Sequence, residues 1–367
     1  MKKTFDIITL GVCFAICLLI GALTLLLPAK SFSEEENRSL AGSPVFSARS
    51  LMSGKYFQDA TSFFSDHVAF RGAWVRGRTA AELCVGRQES GGVLFYPDGA
   101  LAQRGLGASK KLLSQNLGAI DGLPDDAVCV LVPRAIDVLG LPRGAGESEA
   151  ASAIRDAAYS SQGLGGLLWE RFYADGSGER IYYATDHHLT TYGAYLSYVF
   201  LGERLGYKPY EREYFEEETV TRDFFGTAYS AAGLLCAEAD TVEIWRYEGE
   251  ELVRVTREDG SGEILPLYDM SFVEQKDKYR VFLGGNHGVL RVRRGEKMPR
   301  LLLIKDSYAN ALIPFLALHY DVTVVDPRYT TASFEELVSG EEYDEILIFC
   351  GIDTLSAGND LARLLRR

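Results

Sequence analysis

The stretch from Arg300 to the C-terminus limits the fold more than any other part of the chain. Three apolar runs, "RLLLIKDS" (300–307), "DVTVVDP" (321–327) and "EILIFCG" (345–351), alternate with helical patterns at 309–320, near 333–339 and at 355–366. A strand that is apolar throughout, with no polar face, has both faces buried. Such strands alternating with helices predict a parallel sheet covered on both sides. Three β-α units of this kind make a doubly wound sheet, whose ligands sit beyond the C-terminal strand ends. Asp306-Ser307, Asp326-Pro327-Arg328 and Gly351-Ile352-Asp353 therefore converge on one edge. A fourth buried strand is expected at "AVCVLVP" (127–133), with helices near 148–159 and 164–173.

Upstream, "GVLFYPDGAL" (92–101) predicts two short strands about a turn at Pro97-Asp98-Gly99. "RIYYATD" (180–186) alternates as a strand does. Thr190 and Thr191 are N-cap residues for a helix running to about Leu205. Residues 241–294 change to a hairpin pattern, "TVEIWRYEGEELVRVTR" and "YRVFLGGNHGVLRVRR", expected as an antiparallel insertion or edge. Residues 51–86 are amphipathic at helical spacing, and 28–50 read as a polar tether. The expected organisation is an anchor at 1–28, a tether at 29–50 and one domain over 51–367.

The anchor rests on the run from Ile7 to Leu27, "IITLGVCFAICLLIGALTLLL", long enough for one bilayer span. Lys2 and Lys3 before it favour an inside N-terminus, which puts the body of the chain outside the cytoplasm. An uncleaved, single-pass signal anchor is the reading, and a cleaved signal peptide the alternative. The six cysteines show no CxxC or Cys/His spacing, so a zinc site is not expected. Cys84, Cys129, Cys236 and Cys350 are read as buried free thiols. A net charge of −13 argues against a nucleic-acid partner, because no basic stripe exists to displace counterions from phosphates.

Two places carry chemistry. Ser307 stands where a strand becomes a helix, so backbone N–H groups there could hold an oxyanion; a plain N-cap is the competing role. The chain has five histidines, and two of them adjoin in "ATDHHLTTYG" (184–193). In extended backbone, Asp186 and His188 would share a face and His187 would point away. A carboxylate beside an imidazole fixes its tautomer and raises its basicity. Serine at the sheet edge plus Asp-x-His supply a nucleophile, a base and an orienting group. His319, ending an amphipathic helix, suits the helix dipole as a cation. His67 and Arg71 read as braces of the N-terminal helices.

"TDHHLTTYGAYLSY", "LLLIKDSYANALIPFLALHYDVTVVDPRY" and "ENRSL…YFQDATSFFSDHVAFRGAWV" resemble the DHHW protein family. That family is related to alginate O-acetyltransferase-like proteins with SGNH-hydrolase-like domains, and the resemblance runs from about residue 34 to the C-terminus. It implies a Ser307–His188–Asp186 catalytic set, with Asp-x-His before the serine. It implies acetyl transfer to, or acetyl removal from, an extracytoplasmic polysaccharide, without a cofactor or metal. It also implies a membrane acyltransferase partner as the acetyl source. Arg328, Gly351, Asn286, His187 and Tyr308 are the candidate substrate or oxyanion groups. The chain departs from the family pattern at Leu189, where the name's tryptophan belongs. It departs again at Lys305-Asp306-Ser307 in place of Gly-Asp-Ser, and at Gly351-Ile352-Asp353, where relatives would offer an asparagine. The expected fold is thus an SGNH-like α/β sheet with an antiparallel β insertion, behind one transmembrane helix. A catalytically inactive polysaccharide-binding or assembly protein on that fold is the second hypothesis. A metal-dependent Asp-His-His phosphoesterase is the third, which the anchor disfavours.

Overall fold

The computed structural model describes residues 2–366 apart from Glu34, Asn37, 106–108, 143–144, 147–150, 153–154, 157–158, 160–164 and Glu296. The helix expected near 148–159 falls largely outside the described residues. The chain divides into two compact units, Met1–Gly91 with Ser230–Cys236, and Gly92–Tyr229 with Ala237–Arg367.

In the first unit the helix Lys2–Leu26 contains a segment, Phe5–Leu26, long and apolar enough to cross a bilayer. After a short helix, Ala48–Met52, come two longer ones, Lys55–His67 and Arg71–Cys84. His67 and Arg71 brace them as the sequence suggests. His67 lies at hydrogen-bond distance from the Phe63 and Lys30 carbonyls, and Arg71 Nε pairs with Glu36 Oε1 at 2.6 Å. Thr79 Oγ1 donates to the Ala232 carbonyl at 2.7 Å, tying the 230–236 segment to the second of these helices.

The second unit is built on one seven-stranded sheet. Its strands are β1 (Val128–Val132), β2 (Arg254–Arg257), β3 (Ile264–Leu265), β4 (Val289–Arg293), β5 (Arg300–Lys305), β6 (Asp321–Val325) and β7 (Glu345–Gly351). The spatial order is β3-β2-β4-β6-β5-β7-β1. β6, β5, β7 and β1 are mutually parallel, and β4, β2 and β3 continue the same sheet antiparallel. The apolar strands bury both faces, as their composition requires. One face sets Val130, Leu301, Leu303, Leu347 and Phe349 in the main core, together with residues of the helices Gly165–Tyr173 and Thr191–Leu205. The other sets Leu131, Leu302, Ile304 and Ile348 in a separate cluster with the helices Lys110–Ile120 and Asp360–Leu365.

Several expectations change. The 241–294 region is not one insertion of hairpins. β2 to β4 extend the main sheet, whereas Asp240–Arg246 pairs with Glu216–Phe224 as a separate ribbon that starts well before residue 241. The alternation in 180–186 does not make a strand. That segment forms a tight loop closed by a single bridge between Tyr182 and Leu189. The pattern at 309–320 yields only a 3-10 turn, Ser307–Ala309, and a four-residue helix, Ile313–Leu316, with Pro314 in its first turn. Proline has no N–H to continue a helix from upstream. The closing helix is split into Ile352–Ala357 and Asp360–Leu365. Of the cysteines outside the N-terminal helix, only Cys350 is buried. Cys84 and Cys236 are exposed, and none of the six is bridged.

Asn116 holds the split together. Its amide nitrogen donates to the Leu355 and Gly358 carbonyls at 2.6 and 2.8 Å, and its oxygen accepts from Ala362 N at 2.9 Å. The bonds to Leu355 and Ala362 are buried and that to Gly358 partly so, so deletion strands backbone groups away from water. Asn116→Ala should lower unfolding stability by about 2 kcal/mol or more. Thermal or denaturant unfolding of the detergent-solubilised chain beside wild type measures this.

Candidate active site

The 184–188 loop is shaped by two buried carboxylates. Asp240 accepts from the backbone N–H groups of Ala184 and Thr185, both at 2.7 Å, and from the Thr185 hydroxyl at 2.6 Å. Asp186 Oδ1 accepts from His188 N at 3.0 Å and lies 2.5 Å from His188 Nδ1. Its Oδ2 accepts from Thr227 N at 2.7 Å and Thr227 Oγ1 at 2.9 Å. Burial works to raise the Asp186 pKa. Attraction to His188 and His187, together with these hydrogen bonds, overcomes that and holds the carboxyl well below its usual range. Gly226 makes the approach possible, since a Cβ there would lie 2.2 Å from the Asp186 Cβ.

Because ionised Asp186 can only accept, the Thr227 hydroxyl must spend its single proton on Oδ2. It can then only accept from His187 Nδ1, 2.7 Å away. Asp186 likewise takes the Nδ1 proton of His188. In their neutral forms both imidazoles therefore carry hydrogen on Nδ1 and a lone pair on Nε2. His187 is kept neutral: burial and the neighbouring His188 push its pKa down to about 4.

The Asp186–His188 contact comes from a two-residue side-chain turn rather than from strand periodicity. For that reason His187 does not point away. The two rings lie 3.9 Å apart. His188 also stacks on Tyr279, with centroids 3.9 Å apart and planes at 8°. The Tyr279 hydroxyl donates to the Ser307 carbonyl at 3.0 Å, which ties the end of β5 to the ring beside His188. His188 Nε2 is buried and has no hydrogen-bond partner among the described residues.

Around Ser307 the end of the sheet is fixed by Asp306. Its carboxylate accepts from Tyr308 N at 3.0 Å, Gly351 N at 2.7 Å and Thr354 Oγ1 at 2.6 Å. Ala309 N donates to the Asp306 carbonyl at 3.2 Å. The long helix at 309–320, expected to offer free N–H groups to an oxyanion, does not form, and these three N–H groups already have partners. Gly351 leaves room for the Tyr308 ring, since a Cβ would come within 2.6 Å of it. Asn286 is directed at the buried Lys305, accepting from its Nζ at 3.1 Å and from Asn310 Nδ2 at 3.2 Å. Lys305 Nζ also donates to Asn310 Oδ1 at 2.7 Å and lies 3.5 Å from Asp326 Oδ2. Asp326 takes both Nε and a terminal nitrogen of Arg328, at 2.9 and 2.7 Å.

A cavity of about 160 Å³ brings Ser307, Tyr308, His187 and Arg328 together with Arg134 and Asp353. Sequence reasoning overlooked Thr227, Gly226, Tyr279 and Arg134, whereas Asp353 lies at the strand ends where the sequence placed it. "FFGTAY" carried the only readable hint, a glycine before a hydroxyl residue. Elsewhere His319 is not a cation on a helix dipole. Burial lowers its pKa to about 4, and it meets the Tyr198 hydroxyl at 2.7 Å.

The family model described as DHHW protein matches residues 131–325, more than half of the chain and inclusive of the 186–188 loop and Ser307. The chain belongs to the DHHW family. Its solved likenesses include a DHHW family protein from Eubacterium siraeum, at TM-score 0.57 and 18% identity over 75% of this chain and 95% of that one. Bacillus cereus PatB1, solved with a sulfonyl adduct, matches at TM-score 0.59 and 17% identity over 74% and 98%. The O-acetyltransferase domain of Pseudomonas putida AlgJ lies further off, at TM-score 0.44 and 14% identity over 75% and 98%. No curated protein sequence matches the chain. At these identities the likeness is one of fold. In this DHHW protein the family tryptophan position is Leu189, fully buried in the core and paired with Tyr182 across the loop.

Asp186, His187 and His188 place one ligand atom each within 4.8 Å of one another, as metal ligands would. Here both Asp186 oxygens and both Nδ1 atoms are engaged by protein partners. A cation would have to displace those bonds or draw on the Nε2 atoms.

The cavity also carries a titratable acid. Burial raises the Asp353 pKa to about 6, with Arg134 opposing and Asp137 and Asp306 adding. A carboxyl raised in the folded state binds its proton more tightly there than in the unfolded chain. Its contribution to stability is complete below the ordinary 3.8 and is lost as pH rises through about 6. His187 acts in the opposite sense over an overlapping range, so the variant must isolate the acid. Between those two pH values, wild type should lose on the order of 2 kcal/mol relative to Asp353→Asn. Denaturation midpoints of the two chains across that range check the slope.

Proposed function

We propose that this protein is an extracytoplasmic, serine-dependent O-acetyltransferase or acetylesterase acting on a polysaccharide. The observation that carries the reading is the Asp186–His188 pair, buried, ionised at the carboxylate and leaving Nε2 without a partner, on the loop that contacts the Ser307 end of β5 through Tyr279. The family supports it, as does the fold shared with PatB1, a protein that forms a sulfonyl adduct. Sulfonyl groups add to activated hydroxyl nucleophiles. On this reading the domain is SGNH-hydrolase-like, and the N-terminal helix spans the membrane with the catalytic body outside the cytoplasm. A membrane acyltransferase supplies the acetyl group.

The chemistry is a two-step transfer. His188 Nε2 takes the Ser307 hydroxyl proton as Oγ attacks the acetyl carbonyl carbon. The tetrahedral intermediate collapses, the bond to the donor's oxygen or sulfur breaks, and His188 returns the proton to that leaving atom. The acetyl-serine is then attacked by a sugar hydroxyl or by water, whose proton again goes to Nε2, and Ser307 leaves as a hydroxyl. Asp186 keeps the ring in the Nδ1–H tautomer and balances the imidazolium that forms. Arg328, Tyr308 and His187 line the space an acceptor would enter. Closing the Ser307–His188 hydrogen bond is left to the bound state.

A second reading, an inactive polysaccharide-binding or assembly protein, is favoured by the engaged N–H groups of Tyr308, Ala309 and Gly351. One experiment separates the two. Acetyl release from p-nitrophenyl acetate should fall by about 10²–10⁴-fold in Ser307→Ala and in His188→Ala. A sulfonyl fluoride should add one group to wild type, located on Ser307 by peptide mass spectrometry. Equal background rates in all three chains, with no adduct, would establish the inactive reading. Activity abolished by EDTA and restored by a divalent cation would instead favour the metal reading.

A further inference from the structure

The first unit contains a corner packed against the apolar N-terminal helix. Thr24 lies inside the apolar segment Phe5–Leu26. Its hydroxyl donates to the Ile20 carbonyl at 2.8 Å and accepts from the backbone N–H of Ala69 at 2.9 Å. Ile20, Leu23 and Thr24, one stripe of that helix, are half-buried, while the residues around them are exposed. A helix rises 1.5 Å per residue, so the packed stripe runs roughly 3–9 Å in from the end of the span at Leu26. Whatever touches it shares that depth.

What touches it is the turn between the helices Lys55–His67 and Arg71–Cys84, and its outward side chains are apolar. Phe64, Phe70 and Trp74 are 49%, 64% and 54% exposed. Phe70 caps the second helix with a left-handed backbone, φ 60°, which a non-glycine residue rarely adopts and which holds its ring outward. Trp74 packs back over the turn, donating from Nε1 to the Ala69 carbonyl at 3.0 Å. The charges nearby are balanced in pairs: Arg38 with Asp66 and Glu36, and Arg71 with Glu36. Exposed aromatic rings over neutralised charge are the composition of a membrane interface, where rings sit at headgroup level and isolated charge is costly.

We propose that the Val68–Trp74 corner is seated in the headgroup–acyl boundary of the bilayer crossed by the N-terminal helix, with Phe64, Phe70 and Trp74 in contact with lipid. The proposal rests on that helix spanning the membrane. The first unit is then held to the bilayer at two places, the span and the corner, rather than hanging from a free tether.

The chain has three tryptophans, and Trp245 is buried in the core. The full chain is reconstituted in phosphatidylcholine vesicles whose acyl chains are either plain or brominated near the headgroup. Bromine should quench part of the wild-type tryptophan emission, and that part should be lost in Trp74→Phe. Aqueous iodide should leave that part unquenched in wild type, and the half-buried Trp169 is accounted for by the Trp74→Phe difference. Trp74 emission quenched by iodide and not by bromine would put the corner in water and overturn the proposal. Shielding from both quenchers would place a second copy or another protein over it and overturn it equally. An alkaline carbonate wash separates the failures. A chain that washes off the vesicles has no span, and the proposal falls with it. A chain that stays while Trp74 escapes bromine refutes the corner alone.

Discussion

The Asp186 carboxylate is the interaction on which the candidate site depends. It is fully buried, and a buried carboxylate is tolerable only when its lone pairs are satisfied. Here His188 N, His188 Nδ1 and two donors from Thr227 do so. The same four bonds shape the site. They close the 186–188 turn, join it to the 226–227 segment and set which nitrogen of each imidazole carries hydrogen. Removing the carboxylate would take away the base's tautomer, its orientation and the anchor of the neighbouring segment together.

The end of the parallel sheet is organised by a second set of buried charges. Asp306 links the β5 end to the start of the helix after β7, and Lys305 sits between Asn286, Asn310 and Asp326. Here Asp306 joins two strand ends and leaves Ser307 at the cavity wall. The Lys-Asp-Ser sequence, which departs from Gly-Asp-Ser, has a structural account. The lysine is fully buried and its ammonium is spent on two asparagines and an aspartate, so it serves the strand end rather than the cavity.

Much of this was legible. The four parallel strands were readable because a strand buried on both faces has to be apolar at every position, a local property. The helix from Thr191 to Leu205 was readable because its Thr190 cap and Gly206 stop are local too. The Asp186–His188 contact was expected for the wrong reason. Strand alternation and a side-chain turn both bring residues i and i+2 together, but only the turn keeps His187 alongside. The helix expected after Ser307 failed because Pro314 and the packing of 307–320 beneath the sheet override propensity. Thr227 and Tyr279 were out of reach, since each acquires its role from a neighbour about 40 to 90 positions away, which no periodicity encodes.

The sequence by itself determined the buried parallel sheet, the apolar helix at the N-terminus, the family and the chemical types at the site, because hydrophobic pattern and short motifs act over a few residues. Only the tertiary structure decided that Thr227 fixes the His187 tautomer while Asp186 fixes that of His188, that Asn286 serves Lys305, and that the N–H groups after Ser307 have partners. It alone also decided that the Ala69 N–H, in the turn that carries Phe70, meets the Thr24 hydroxyl of the N-terminal helix. Each of these depends on which distant backbone donor meets which side chain, and that is settled when the chain closes on itself.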